Sequence, residues 1–318
     1  MEILKSNESR FIQYLESKNL SVSSINYYTM YVEWFFRWVK KEDIQVTKPD
    51  ILKYLEYLKN RKRVQKITQK NYLIALNHYF TFLFQAEMIT ENPCQFLKIR
   101  GANKKQLHKL YTMEELELLF DNYYQYFVRG YDNSHIPKNQ QKHSELNRQR
   151  NTVILSLLVH QGVRTNEIGT IKIDDLDLIK ANIKIRNKKA GERVLPLKAS
   201  QIGLFINYLQ NIRPQLLEYQ TKESENLFLP LPKSGSSTAS DKMLKHIFKS
   251  LVGQVKTIDK QFLDFWQVRA SVITFWLKTQ GLRKTQYLAG HSTIVSTENY
   301  LPNDIDDLID DINKLHPF

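Results

Sequence analysis

The sequence predicts a mostly α-helical protein with one small antiparallel β-hairpin, built as an N-terminal helical bundle followed by a mixed α+β domain. Three observations predict this fold class. The 318 residues exceed a typical single domain. Apolar residues recur at helical spacing along most of the chain. Strong alternation of apolar and polar residues, typical of a strand, occurs at residues 182–186.

Residues 1–99 predict a bundle of four or five helices. The hydroxyl side chains around Ser21 can cap a helix that runs to Trp38. Thr47 precedes a Lys-Pro pair, which suits the first turn of a second helix. A long helix begins at Thr68 and ends before Pro93.

Residues 100–110 are polar and basic without an apolar period, so we expect an interdomain linker there and a second domain over 111–318. Thr112-Met-Glu-Glu has the spacing of a capping box that opens the second domain. Residues 130–150 are rich in Asn, Gln, Lys and Ser and predict a surface loop before an apolar helix over 152–160.

The predicted hairpin pairs a strand over 182–186 with one that starts at Arg193, through a turn at 188–191. Helices return from about residue 199, and residues 227–230 form a short strand-like segment. Residues 304–315 place apolar side chains on one face and aspartates opposite, which predicts an amphipathic C-terminal helix.

The charge favours a polyanionic partner. Lys and Arg number 46 against 33 Asp and Glu, a net charge of +13, and cationic side chains that neutralise phosphates release counterions from nucleic acid. A basic protein without a polyanionic partner stays open on charge alone. The single Cys94 excludes an internal disulfide and metal sites built on several cysteines. Without a secretion signal or an apolar span, we expect a cytoplasmic protein.

Four short segments carry candidate chemistry, although each also fits an ordinary structural role. Arg164 follows a Gly-containing turn and precedes Glu167, so its guanidinium can face a phosphate or simply lie beside a helix cap. Lys188 lies in the hairpin turn, where lysines are normally solvated. Trp266 and Arg269 start an apolar helix, and Gly-His291 is followed nine residues later by Tyr300.

Taken in order, these segments resemble the tyrosine recombinase family, also called the phage integrase family. Its signature is Gly-Leu-Arg-x-x-Glu-Leu, a hairpin lysine, His-x-Leu-Arg, and Leu-Gly-His with a tyrosine nine residues on. Lys188 precedes Pro196 by the eight residues that separate the family lysine from its proline. Trp266 stands where the family usually has histidine. An indole N–H can donate a hydrogen bond but cannot accept a proton.

The resemblance covers nearly the whole chain and implies a SAM-like core-binding domain followed by a recombinase catalytic domain. It implies that Tyr300 attacks the DNA phosphate and forms a 3′-phosphotyrosine, while Lys188 protonates the departing 5′ oxygen. Arg164 and Arg269 would hold the phosphate oxygens, with further donors from His291 and the Trp266 indole. No metal, ATP or other cofactor would be needed. Supporting positions that orient Arg164 and its surroundings are Glu167 and Asp175.

The expected partner is double-stranded DNA, bound by a tetramer on paired sites and exchanged through a Holliday junction. Basic side chains suited to backbone contacts flank the start of one long helix: Lys59, Arg61, Lys62, Arg63, Lys66 and Lys70. The predicted helix 304–315 either docks on a neighbouring subunit, as in similar recombinases, or packs on its own domain. A bacterial or mobile-element origin and association with the nucleoid follow from the same resemblance.

Two other functions stay open. A type IB topoisomerase shares the tyrosine chemistry but relaxes supercoils without choosing a site. A DNA-binding regulator descended from a recombinase would be catalytically inactive, and Trp266 is the one feature in its favour.

Overall fold

The computed structural model describes residues 2–101, 109–187, 191–220, 223–232 and 244–301, with the side chains of 2–6 and 244–245 excepted. The chain forms two compact units, Met1–Gln106 and Leu107–Phe318. Lys188, most of the predicted linker and the predicted helix 304–315 lie outside the described residues. Within the part of the chain that is described, no helix is both long and apolar enough to span a bilayer.

The first unit is helical. Its helices are α1 (Glu2–Ser17), α2 (Val22–Val39), α3 (Lys48–Asn60) and α4 (Lys66–Gln85). Ser21 caps α2 by accepting a hydrogen bond from the Ser24 backbone N–H at 3.2 Å. Asp50 closes a capping box with Thr47 at the start of α3. The last helix begins two residues before the predicted Thr68.

The core of the first unit is aromatic and lies where α2 and α4 pack together. Phe35 and Phe80 are fully buried and meet edge to face at 6.3 Å between ring centroids. The buried carboxylate of Asp43 accepts hydrogen bonds from Asn7 and from the Tyr79 hydroxyl, each at 3.0 Å. Because both donors are internal, the hydrogen-bonding capacity of this buried side chain is met inside the bundle.

The second unit surrounds a small sheet with helices. Its helices are α5 (Met113–Tyr124), α6 (Lys138–Gln161), α7 (Thr165–Ile168), α8 (Ala199–Asn207), α9 (Arg213–Leu217), α10 (Leu244–Ile258), α11 (Phe265–Gln280), α12 (Leu282–Ala289) and α13 (Val295–Glu298). The predicted capping box at the start of α5 is present, since the Thr112 hydroxyl accepts from the Glu115 N–H at 3.2 Å.

The sheet is antiparallel in the order β1 (Leu176–Asp177), β2 (Asn182–Asn187), β3 (Gly191–Pro196). The predicted hairpin is therefore confirmed as β2 and β3, and β1 was not predicted. Residues 227–230 do not join this sheet. Asn226 instead bridges Lys172, and the Leu227 N–H donates to the Ile171 carbonyl at 2.8 Å. A short buried apolar run in a sequence is compatible both with a strand of the sheet and with a buried segment outside it.

The prediction of a loop over 130–150 is wrong from residue 138 onward, because α6 begins at Lys138 and continues through the apolar segment. Although residues 138–150 are mostly polar, one face of this part of α6 is buried. Arg150 is only 1% exposed and donates to the Leu229 carbonyl at 3.0 Å and to Asn147 Oδ1 at 2.6 Å. Polar side chains with internal partners can be buried on a helix that a hydropathy pattern marks as solvated.

Candidate active site

Glu167 lies at the centre of a network that joins α7, β3 and the end of α12. Its carboxylate accepts two hydrogen bonds from Arg193, at 2.9 Å and 2.8 Å, and one from Arg164 at 2.9 Å. It also accepts the Arg164 backbone N–H at 2.9 Å, which caps α7. Glu167 is 6% exposed and Arg193 is 2% exposed, so this fork-to-fork pair is inside the protein.

The arginines keep the Glu167 carboxylate ionised. Burial by itself would raise the pKa of Glu167, but the hydrogen bonds and charge of Arg193, followed by those of Arg164, lower it to about 2. Removal of one partner would leave an uncompensated buried charge, which is strongly destabilising.

Arg164 and Arg269 hold two consecutive carbonyl groups at the end of α12. Both terminal nitrogens of Arg164 lie near the Gly290 carbonyl oxygen, at 3.2 Å and 3.3 Å. Arg269 donates to the Ala289 carbonyl at 2.6 Å, and its other terminal nitrogen donates to the Gly162 carbonyl. Both guanidinium groups are thereby fixed on one turn of backbone.

Arg269 stays charged at neutral pH despite its burial. Desolvation, reinforced by the positive charge of Arg164, lowers the pKa of Arg269 to about 10. Arg164 remains partly exposed, with a side-chain exposure of 34%. The pair therefore concentrates two positive charges, one of which solvent or a ligand can reach.

His291 and Tyr300 complete the cluster. His291 Nδ1 lies 2.9 Å from the Thr297 hydroxyl, and its Nε2 lies 3.4 Å from an Arg269 nitrogen. Its ring stacks on that of Tyr300, with centroids 5.7 Å apart and planes inclined by 14°. Tyr300, just after α13, is partly exposed.

The imidazole of His291 is neutral at physiological pH. Burial, followed by the positive charges of Arg269, Arg164 and Arg193, lowers the pKa of His291 to about 4. A neutral ring can accept a proton at one nitrogen while donating from the other. This property suits a group that exchanges protons beside a nucleophile.

The structure thus brings together Arg164, Glu167, Arg269, His291 and Tyr300, which the sequence had singled out. Trp266 lies in the first turn of α11, one helical turn before Arg269, and is 51% exposed. Asp264 caps this turn by accepting the Trp266 backbone N–H at 2.8 Å.

Asp175 lies just before β1 and contacts both Lys172 and the β2 residue Arg186. Asp175 is buried, accepts the Lys172 backbone N–H at 2.9 Å and forms an ion pair with Arg186 at 2.7 Å. It fixes the start of the sheet on which Arg193 is carried. Lys188 is named by the sequence but lies outside the described residues, in the segment that joins β2 to β3.

The sequence interpretation missed Arg193. A signal was available, because Arg193 and Leu195 occupy alternate positions of one strand and alternate side chains share a face. Leu195 is buried, so an arginine two residues earlier faces the same interior. A charged residue on the inward side of a short strand indicates an internal partner of opposite charge.

Gly290 makes room for this arginine. A Cβ atom at position 290 would lie 2.5 Å from an Arg193 terminal nitrogen and 2.9 Å from its central guanidinium carbon. The residue also has a φ of +61°, in the left-handed region that glycine tolerates best. The glycine before His291 therefore serves both the turn and the packing of Arg193.

The basic side chains singled out in the first unit lie together at the junction of α3 and α4. Lys59 is in the last turn of α3, residues 61–63 form the connection, and Lys66 and Lys70 are in the first turns of α4. All but the half-buried Lys70 are exposed. Exposed cations at this density suit contacts with a phosphate backbone.

Metal ligands are not clustered in the described part of the chain, where no group of three or more His, Cys, Asp or Glu side chains could hold an ion. The positive charge at the candidate site comes from its arginines.

Comparison with protein families gives two matches. The model described as the phage integrase family matches residues 134–305, and that of the phage integrase N-terminal SAM-like domain matches residues 9–90. The predicted resemblance and fold class are confirmed.

Curated relatives span the chain almost completely. The tyrosine recombinase XerC of Listeria welshimeri is 28% identical over 98% of this chain and 97% of its own length. That of Natranaerobius thermophilus is 27% identical over 96% of this chain and 97% of its own.

Solved structures share the fold. XerH bound to its palindromic difH substrate, in a post-cleavage complex, has a TM-score of 0.67 at 20% identity and covers 96% of this chain and 84% of its own. A lambda integrase dimer bound to a core site has a TM-score of 0.60 at 14% identity, with 93% and 94% covered.

Gly290→Ala tests the packing of Arg193. The added methyl group must displace the Arg193 guanidinium, and the alanine must adopt a left-handed backbone conformation. We therefore expect a loss of about 2 kcal/mol in the free energy of unfolding. Gly253→Ala is the matched control, since nothing lies within 4 Å of its added Cβ in helix α10. Helix propensity should make that variant neutral or slightly more stable. Equal urea denaturation curves for both variants would contradict the packing role.

Glu167→Gln tests, through the pH dependence of stability, whether the Glu167 carboxylate is ionised in the folded protein. The folded pKa of about 2 lies below the unfolded value of 4.5, so the stabilisation is fully present above pH 4.5 and is lost as pH falls toward 2. We expect the Glu167 carboxylate to raise the free energy of unfolding by about 3 kcal/mol between pH 2 and pH 4.5, and the Glu167→Gln variant to lack this rise. Glu117→Gln, at an exposed ion pair with Lys198, is the control and should follow the wild type. Urea denaturation across this pH range measures both, and parallel curves for Glu167→Gln and the wild type would refute the assignment.

Proposed function

Because the chain belongs to the phage integrase family, we propose that it is a site-specific DNA recombinase that cuts and rejoins duplex DNA through Tyr300. One observation carries the proposal. Two guanidinium groups hold consecutive backbone carbonyls, and one of them lies 3.4 Å from a neutral histidine whose ring stacks on a partly exposed tyrosine. This combination supplies the anion binding, proton exchange and nucleophile that phosphodiester exchange requires.

In the proposed reaction the Tyr300 oxygen attacks the phosphorus of the scissile phosphate. The bond to the 5′ oxygen breaks as the bond to tyrosine forms, which leaves a 3′-phosphotyrosine and a free 5′ hydroxyl. Lys188 gives its proton to the departing oxygen, and the neutral His291 beside Tyr300 can accept the tyrosine proton. The ester conserves the bond energy, so attack by another 5′ hydroxyl reverses the step without ATP.

The arginines stabilise the charge that builds on the nonbridging phosphate oxygens. Arg164 is the more accessible of the two, while the buried Arg269 is aligned by the carbonyls of Ala289 and Gly162. Glu167 orients Arg164, and Asp175 supports the neighbouring sheet. Preorganised cations of this kind can take the place of a catalytic metal, so the proposed reaction uses no cofactor.

The proposed partner is double-stranded DNA, held by the basic residues at the junction of α3 and α4 and by the candidate active site. Lambda integrase is known as a tetramer bound to a Holliday junction. We extend that assembly to this chain, with the predicted helix 304–315 docking on a neighbouring subunit. The curated relatives are bacterial, so action on DNA in a bacterial cytoplasm, at the nucleoid or on a mobile element, belongs to the same proposal.

Tyr300→Phe should abolish covalent attachment to DNA and leave DNA affinity nearly unchanged, because only the nucleophilic oxygen is removed. Tyr126→Phe, at an exposed tyrosine of the same unit, is the control and should retain attachment. A suicide substrate carrying the target site, analysed by denaturing gel, measures the covalent adduct. Wild-type protein that binds this DNA but forms no adduct would indicate an inactive regulator. An adduct with plasmid relaxation and no recombinants would indicate a topoisomerase.

Trp266 tests how far the site departs from the family pattern. If its indole N–H donates to a phosphate oxygen, Trp266→His should keep substantial cleavage activity and Trp266→Phe should lose most of it. Phe275→Leu, at an exposed aromatic residue of the same helix, is the control for altered surface packing. Wild-type cleavage rates in both Trp266 variants would show that the position serves packing alone.

A further inference from the structure

An open aromatic cavity of about 620 Å³ lies in the first unit, between the C-terminal halves of α2 and α3 and the start of α4. Its volume falls in the range of small-molecule sites, roughly 300–1,000 Å³. Five aromatic and two cationic residues dominate its lining: Trp34, Trp38, Tyr54, Tyr57, Tyr72, Arg37 and Lys62. Of these, only Lys62 was singled out by the sequence, as a contact to the DNA backbone.

The aromatic rings form one connected cluster, in which the buried Tyr54 lies 5.1 Å from Trp38 and 6.1 Å from Tyr72 between ring centroids. Trp38 and Tyr57 lie with centroids 5.4 Å apart and planes inclined by 34°. Trp34 and Tyr72 are 6.1 Å apart at 33°. Tyr72 is buried, whereas Trp34 leaves 41% of its surface exposed. The exposed indole of Trp34, beside the buried ring of Tyr72, offers an apolar surface on which another ring can stack.

Positive charge lines the same opening. The Lys62 ammonium lies 6.0 Å from the centroid of the Tyr57 ring. Arg37 pairs with Glu33 at 2.5 Å, but their side chains are 63% and 47% exposed, so this surface pair contributes little. A phosphate can compete for such a guanidinium through stronger, bidentate hydrogen bonds. The cavity therefore combines stacking surfaces with phosphate-binding groups.

We propose that this cavity binds one unstacked nucleotide, with its base among the aromatic rings and its phosphate at Arg37 and Lys62. Stacking on aromatic side chains beside a basic surface is how proteins hold unpaired bases of any sequence. The cavity adjoins the basic residues at the junction of α3 and α4, so the nucleotide can come from the DNA of the proposed function, on which this source depends. A free nucleotide has the same chemistry and is the second source.

The test uses the full chain and three DNA duplexes of one sequence: fully paired, with one unpaired 2-aminopurine nucleotide, and with one unpaired abasic nucleotide. The wild-type protein should bind the 2-aminopurine duplex about tenfold more tightly than the other two, the scale of one base–aromatic stack. Its 2-aminopurine fluorescence should fall on binding. Equal affinity for the 2-aminopurine and abasic duplexes, with no effect of free nucleotide, would overturn the proposal.

Variants assign the effect to the cavity. Trp34→Ala should remove the tenfold preference, and Trp34→Phe should restore most of it because a stacking ring is retained. Phe84→Ala is the matched control, since Phe84 is an exposed aromatic residue of α4 that does not line the cavity. Preference kept in Trp34→Ala would place the stacking elsewhere and refute the site. Circular dichroism of each variant checks that the bundle is folded.

The remaining outcomes separate the sources and the underlying function. Quenching of tryptophan fluorescence by a free nucleoside monophosphate in the wild type but not in Trp34→Ala, with no preference among duplexes, would support the cavity and assign it to free nucleotides. The preference without any covalent adduct on target DNA would retain the cavity while the proposed recombinase function fails. Burial of Trp34 by self-association, with no response to any base, would assign the surface to a second copy and overturn the proposal.

Discussion

The buried carboxylate of Glu167 is the constraint on which the candidate site depends. It is the common acceptor for a strand residue, Arg193, and for Arg164 at the start of α7. Without the shared carboxylate, the guanidinium groups of Arg193 and Arg164 would repel each other. The carboxylate thus permits the cationic cluster to form inside the fold, and it fixes the direction in which Arg164 points.

Backbone carbonyl groups also hold the arginines of the candidate site in place. The oxygens of Ala289 and Gly290 accept from Arg269 and Arg164, so the turn before His291 is tied to both arginines. The same turn places the His291 ring against Tyr300. Residues far apart in sequence are therefore joined by hydrogen bonds to one short segment of backbone. Burial, followed by the surrounding positive charge, explains why the imidazole is neutral.

The fold class and most of the site could be predicted from the sequence, because helical periodicity, capping residues and motif spacing are local signals. The hairpin was predictable from alternation. Arg164, Arg269, His291 and Tyr300 were predictable as candidates because their order and spacing resemble the recombinase signature. The buried face of α6 was not, since the partners of Arg150 are brought to it by folding. Arg193 was missed for a related reason, because its partner lies 26 residues away. The cavity around Trp34 is assembled from three helices and has no contiguous pattern.

The fit between Arg193 and Gly290 also has a consequence for sequence divergence. A side chain at position 290 competes with the guanidinium for one volume, and the guanidinium is needed only while Glu167 is acidic. Substitutions at positions 167, 193 and 290 are therefore expected to depend on one another. A lineage that replaces Arg193 with a small neutral residue leaves the buried Glu167 with Arg164 as its charged partner, which favours a neutral residue at position 167 as well. It would then be free to tolerate a larger residue at 290, within the limits of that left-handed turn.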